Sequence, residues 1–89
     1  MAVPPRPLGV ALRGTAHAWR RWQRRAPRAI CGRASYRTAL RTARDTGWTR
    51  HGRAVYRAFG MALLVQDGTV LTCLPLTWLI QGDPDDRDG

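Results

Sequence analysis

Hydrophobic spacing divides the chain at the stretch TRHGR, residues 49–53. Before it, apolar residues recur at the three-to-four spacing of an amphipathic helix; after it, they fall in short runs separated by glycine. The first helical stretch is Thr15–Ala26. Thr15 is a good N-cap, and Pro27 biases the residue before it away from helix. A second helix is predicted from Ser35 to Thr46, capped by Ser35, with Tyr36, Leu40 and Ala43 on one face. Gly47 suits a left-handed position just past its end, with Trp48 folding back on it. Between the helices, PRAICGRA reads as a short connection anchored by Ile30.

Three runs follow: AVYRAF (54–59), MALLVQ (61–66) and TVLTCL (69–74). Gly60 separates the first two and Asp67-Gly68 the last two. Asp-Gly between apolar, β-branched runs signals a type I′ hairpin. Pro75 closes a three-stranded antiparallel meander, and LTWLI (76–80) is either a last edge segment or a patch under the sheet. Strict alternation puts Thr69, Leu71 and Cys73 on one face of the last strand and Val70, Thr72 and Leu74 on the other. The expected fold is α+β: two N-terminal helices packed on a C-terminal three-stranded antiparallel meander. Residues 1–14, rich in Pro and Gly, read as a flexible segment, 15–80 as one domain and 81–89 as an acidic flexible tail. A core of this size is marginal on its own, and a partner would help it.

Charge sharpens the picture. All 15 basic residues are arginine, with neither lysine nor glutamate present. Four of the six acids lie from Asp83 onward, so residues 1–82 set 14 arginines against two aspartates. Such an excess points to a polyanion, nucleic acid ahead of membrane, although GC-rich coding also favours Arg over Lys. The run MALLVQDGTVLTCLPLTWLI is broken by Gln66-Asp67-Gly68, which argues against a membrane span. The first 44 residues lack acids as transit peptides do, but Pro27 and the Pro-rich start argue against a presequence helix. Cys31 and Cys73 have no metal-site spacing and read as buried free thiols in a reducing cytoplasm. No metal or other cofactor is implied.

On a helical wheel the first helix gathers His17, Arg20, Arg21, Arg24 and Arg25 on one arc and Trp19, Trp22 and Ala26 on another. The tryptophans face the core, and the imidazole belongs to the charged face. Neighbouring guanidinium groups disfavour a second positive charge, so His17 is expected to be neutral. A neutral histidine beside arginines could take the proton of a ribose 2′-hydroxyl while the arginines stabilise the phosphate. The plainer reading, which the sequence favours, is a solvent-facing histidine on a basic helix with no catalytic role. Arg57 is a candidate phosphate contact, with Tyr56 on the opposite face of its strand. Thr72 is a hydroxyl in apolar surroundings, and Arg28, Arg50, His51 and Arg53 are candidate backbone contacts. Carboxylate pairs, nucleotide loops and metal clusters are missing from the pattern, which argues against kinase, glycosidase and metalloenzyme chemistry.

TAHAWRRW (15–22), a second helix and AVYRAFGMALLVQDGTVLTCLP (54–75) together resemble small phage- and plasmid-borne domains related to RelE-type toxins. These belong to the barnase–EndoU–colicin–RelE group of metal-independent ribonucleases. The resemblance covers about two-thirds of the chain. It implies RNA held against the sheet, with His17 and Arg21 matching the helical segment and Arg57 and Thr72 matching strand positions as the catalytic set. Two departures stand out: such domains often begin with a strand, for which only GVALR (9–13) is available, and they are often lysine-rich. Three readings follow from the sequence. The chain is a basic RNA-binding domain with metal-independent endoribonuclease activity, a non-catalytic nucleic-acid binder, or a protein-interaction module with an acidic partner such as an antitoxin. The acidic tail could also compete for the basic face.

Overall fold

A computed structural model describes residues 11–81. The flexible segment expected at the start and the acidic tail lie outside them, apart from residues 11–14 and Gln81. In chain order the elements are β1 (Arg13–Gly14), α1 (Ala16–Arg25), a 3-10 turn (Arg28–Ile30), α2 (Arg33–Thr42), β2 (Arg44–Arg50), β3 (Arg53–Ala58), β4 (Met61–Gln66), β5 (Thr69–Pro75) and α3 (Leu76–Gln81). The strands form one five-stranded sheet in the order β1-β5-β4-β3-β2. It is mixed, because β1 runs parallel to β5 while the other neighbours are antiparallel. This replaces the expected three-stranded meander beneath two N-terminal helices.

Two differences account for the change. First, α2 stops at Thr42: Ala43 is extended (φ −57°, ψ 138°), and residues 44–50 become the edge strand β2. Gly47 therefore sits within that strand, at φ +81°, and does not cap a helix. Pairing with β2 satisfies the outer edge of β3, which the expected meander would have left open. Second, the chain begins its fold before Thr15. Leu12 is buried, Arg13 N donates to Gly68 O (2.9 Å) and Leu12 N donates to Leu40 O (2.8 Å).

The turns explain the rest of the sheet. His51-Gly52, Phe59-Gly60 and Asp67-Gly68 all have both residues at φ between 52° and 77°, the type I′ geometry whose twist matches a hairpin. Consecutive strands from β2 to β5 are thus joined by two-residue loops.

Both sheet faces carry helices. On one, α1 and α2 pack Trp22, Tyr36 and Ala39 against Met61, Leu63, Val65, Val70 and Cys73. On the other, α3 lays Leu76, Trp78 and Leu79 over Val55, Ala62, Leu64 and Leu74. LTWLI is accordingly a helix beneath the sheet. Trp22 is fully buried and its Nε1 donates to Ile30 O (2.8 Å), which ties the 3-10 turn to α1. Thr15 caps α1 by accepting from Ala18 N (3.0 Å) and also donates to Val70 O (3.1 Å), fixing the helix start on β5.

Beyond β1, the outer edge of β5 is covered by a side chain. Arg25 Nη1 donates to Cys73 O (3.0 Å), and the guanidinium lies 5.1 Å from the Trp78 ring centroid. Arg25 thereby links α1 on one face to α3 on the other, a charged cover of the kind that blunts exposed strand edges.

Candidate nucleic-acid interface

The α1 ridge is the first basic surface. His17, Arg20, Arg21, Gln23 and Arg24 line an open groove of about 360 Å³. Arg20 and Arg24 are exposed and Arg21 half-buried. Arg21 Nε donates to His17 Nε2 across 3.3 Å, so that nitrogen is an acceptor and the proton of the neutral ring is on Nδ1. Desolvation on the helix surface, together with the charges of Arg21, Arg20 and Arg25, holds the His17 pKa below 6.5. The ridge thus presents arginines and a neutral imidazole, a surface that attracts phosphate with little self-repulsion from the ring.

The residues expected to form a catalytic set are separated. Arg57 pairs with Ala62, and Thr72 with Leu64, both of which face α3. His17 and Arg21 are on α1, which covers the other face. Two causes combine. Arg57 keeps the alternation of its strand, but the face it shares with Val55 is the one away from α1. In β5, the register passes from Val65↔Val70 to Leu64↔Thr72, so Leu71 is an extra residue. That bulge puts Val70 with Cys73 on the helix side and leaves Thr72 with Leu74 on the other. The expected grouping of Val70 with Thr72 and Leu74, and of Leu71 with Cys73, therefore does not hold.

The remaining candidates divide as well. Arg25 is turned to the β5 edge, away from the ridge groove. Arg28 is exposed in the 3-10 turn, where its carbonyl accepts from Cys31 Sγ (3.4 Å). Cys31 is half-buried, not enclosed as expected, whereas Cys73 is buried and its thiol is pushed up to about 12 by desolvation. Arg50, His51 and Arg53 sit at the β2–β3 hairpin, with Arg50 opposite Arg53.

One basic stripe lies outside the residues that the sequence pattern singles out. Arg33, Arg37 and Arg41 recur every fourth residue and are all exposed on α2, and the Arg33 guanidinium lies 5.3 Å from the Trp19 ring centroid. The four-residue period was the available signal. Arg44 was also missed, because it fell inside the expected helix. Trp48, expected to fold back on that helix, is instead 51% exposed.

Among the described residues, no three His, Cys, Asp or Glu side chains come together as a metal site. No helix is long and apolar enough to cross a membrane. Comparison with protein-family models, curated proteins and solved structures gives no match.

Proposed function

We propose that the protein is a small RNA-binding domain that holds the phosphate backbone on the α1 ridge. The observation that carries this reading is the groove lined by His17, Arg20, Arg21 and Arg24, in which every charged group is a guanidinium and the imidazole is neutral. Guanidinium groups present a fork of donors that matches phosphate oxygens. The only acids of the described region, Asp45 and Asp67, belong to the bulge of β2 and the β4–β5 turn.

Binding is favoured over cleavage. With Arg57 and Thr72 on the far side of the sheet, His17 has one base-competent nitrogen, which accepts from Arg21, and among the described residues its groove is otherwise lined by arginines and Gln23. The described part of the ridge supports neutralising phosphate better than cleavage at a 2′-hydroxyl, which calls for a pair of proton-transfer groups.

The test is direct titration of a labelled single-stranded RNA with the wild type and with Arg20→Ala/Arg24→Ala. Both side chains are exposed, so the fold should survive. The double variant is expected to bind more weakly at low salt. Unchanged affinity would remove the ridge from the interface.

A further inference from the structure

The sheet face that carries α3 is only partly covered by it. Over β2 and β3, two arginine pairs stand directly opposite each other, Arg44 with Arg57 and Arg50 with Arg53. Arg53, Val55 and Arg57 alternate on one face of β3, so all four arginines share the α3 side. Along β3 the two pairs are about 13 Å apart. Like charges directly opposite destabilise a sheet, and Arg53 Nε is buried without a hydrogen-bond partner among the described residues. An anion drawn between the strands would relieve both.

Each pair has an exposed aromatic ring beside it, and each ring is held out by unusual backbone. Trp48 lines a groove with Arg50, Val55 and Leu79. Between Asp45 and Thr49 the β2 register slips, leaving Thr46, Gly47 and Trp48 opposite Val55 alone. The bulge is tied by Gly47 N donating to Asp45 Oδ1 (2.8 Å), Trp48 N to Thr46 Oγ1 (3.1 Å) and Thr46 Oγ1 to Val55 O (2.8 Å). Bulges of this kind re-aim a side chain and spoil an edge for strand addition.

The second ring is Phe59, 47% exposed, in a groove with Arg44, Arg57 and Leu76. Its φ is +53°. For a bulky residue that is an outlier, and asparagine is the residue the turn prefers. Neither ring contributes much to the core, and one of them strains the chain.

We propose that this face is a stacking platform for single-stranded RNA, with unpaired bases on Trp48 and Phe59 and phosphates on the two arginine pairs. Exposed aromatics along a cationic track are how single strands are held without sequence preference, because every base offers a π-face. A duplex keeps its bases stacked inside and cannot use the rings. The inference rests on the RNA-binding reading and names its substrate class, but it uses the opposite side of the sheet from the α1 ridge.

The experiment titrates a short oligouridylate and an RNA duplex of equal phosphate number into the full chain, Trp48→Ala, Phe59→Asn and the ridge variant. Trp48→Ala is expected to weaken oligouridylate binding about 5- to 150-fold, as loss of one stacked base does, and to leave duplex binding unchanged. Phe59→Asn is expected to raise the unfolding midpoint, since it suits the turn, while weakening oligouridylate binding. That split cannot come from a merely structural phenylalanine. Oligouridylate affinity unchanged in both variants, with the ridge variant impaired, overturns the platform and leaves the ridge standing. Impairment by Trp48→Ala with the ridge variant unaffected does the reverse. A wild type that binds neither RNA overturns both.

Discussion

Arg21 donates a hydrogen bond to the one histidine nitrogen that could act as a base, His17 Nε2, at 3.3 Å. The pairing requires a neutral ring. Because the folded-state pKa is lowered from 6.5, the unfolded chain takes up the proton first as pH falls. His17 therefore contributes nothing to pH dependence well above 6.5, and below it progressively disfavours the fold until the folded pKa is passed. An NMR titration is expected to place the His17 midpoint under 6.5, and Arg21→Ala to move it upward. RNA on the ridge should also raise it, because phosphate favours the imidazolium. A midpoint that RNA leaves unmoved would set the phosphate elsewhere.

Tyr36 and Gly14 form a second pair with a measurable consequence. The Tyr36 hydroxyl is buried without a hydrogen-bond partner among the described residues, and desolvation pushes its pKa up to about 12. A Cβ on Gly14 would collide with that hydroxyl. Tyr36→Phe is expected to leave stability unchanged or raise it by up to about 1 kcal/mol, since no hydrogen bond is lost. Gly14→Ala should cost about 1–3 kcal/mol, and less in the Tyr36→Phe background. Additive effects in denaturant melts would rule out the contact.

Arg25 has a structural role within the basic helix α1. Its bond to Cys73 O and its stacking on Trp78 cover the edge of β5. Arg25→Ala is expected to lose about 1–3 kcal/mol of stability while the salt dependence of RNA binding stays as in the wild type. Arg24→Ala should do the opposite. Equal effects of the two variants on the salt slope would put Arg25 in the interface.

Trp22 is the anchor of the helical layer. Trp22→Ala removes a fully buried ring and should cost about 3–5 kcal/mol, enough to unfold a marginal domain. Trp22→Phe keeps much of the packing but strands the Ile30 carbonyl, which accepts from the indole at 2.8 Å. Its cost is expected to fall near 1–3 kcal/mol, read from thermal melts.

What could be read from residues alone was local. Thr15 as a cap, Pro27 as a stop and Asp67-Gly68 as a turn each act within a few residues, and each is found where the pattern puts it. Gly47 has two meanings, helix end or strand bulge, and the choice is made by pairing with β3, a partner the local pattern cannot see. The extra residue at Leu71 is similar: its register depends on β4. Of the site, the arc from His17 to Arg24 was legible because a single helix builds it. The separation of His17 from Arg57 was not, because alternation defines two faces of a strand without saying which helix covers which. Two-residue β1 is too short to show a period at all.

The central claim is that arginines on this fold neutralise RNA phosphates, and the salt dependence of affinity measures that most directly. For a single strand, log K is expected to fall linearly with log salt, by about 0.7 for each phosphate neutralised. Arg20→Ala/Arg24→Ala should flatten the slope by about 1.4. A slope near zero in the wild type, or one the double variant leaves unchanged, would contradict the account.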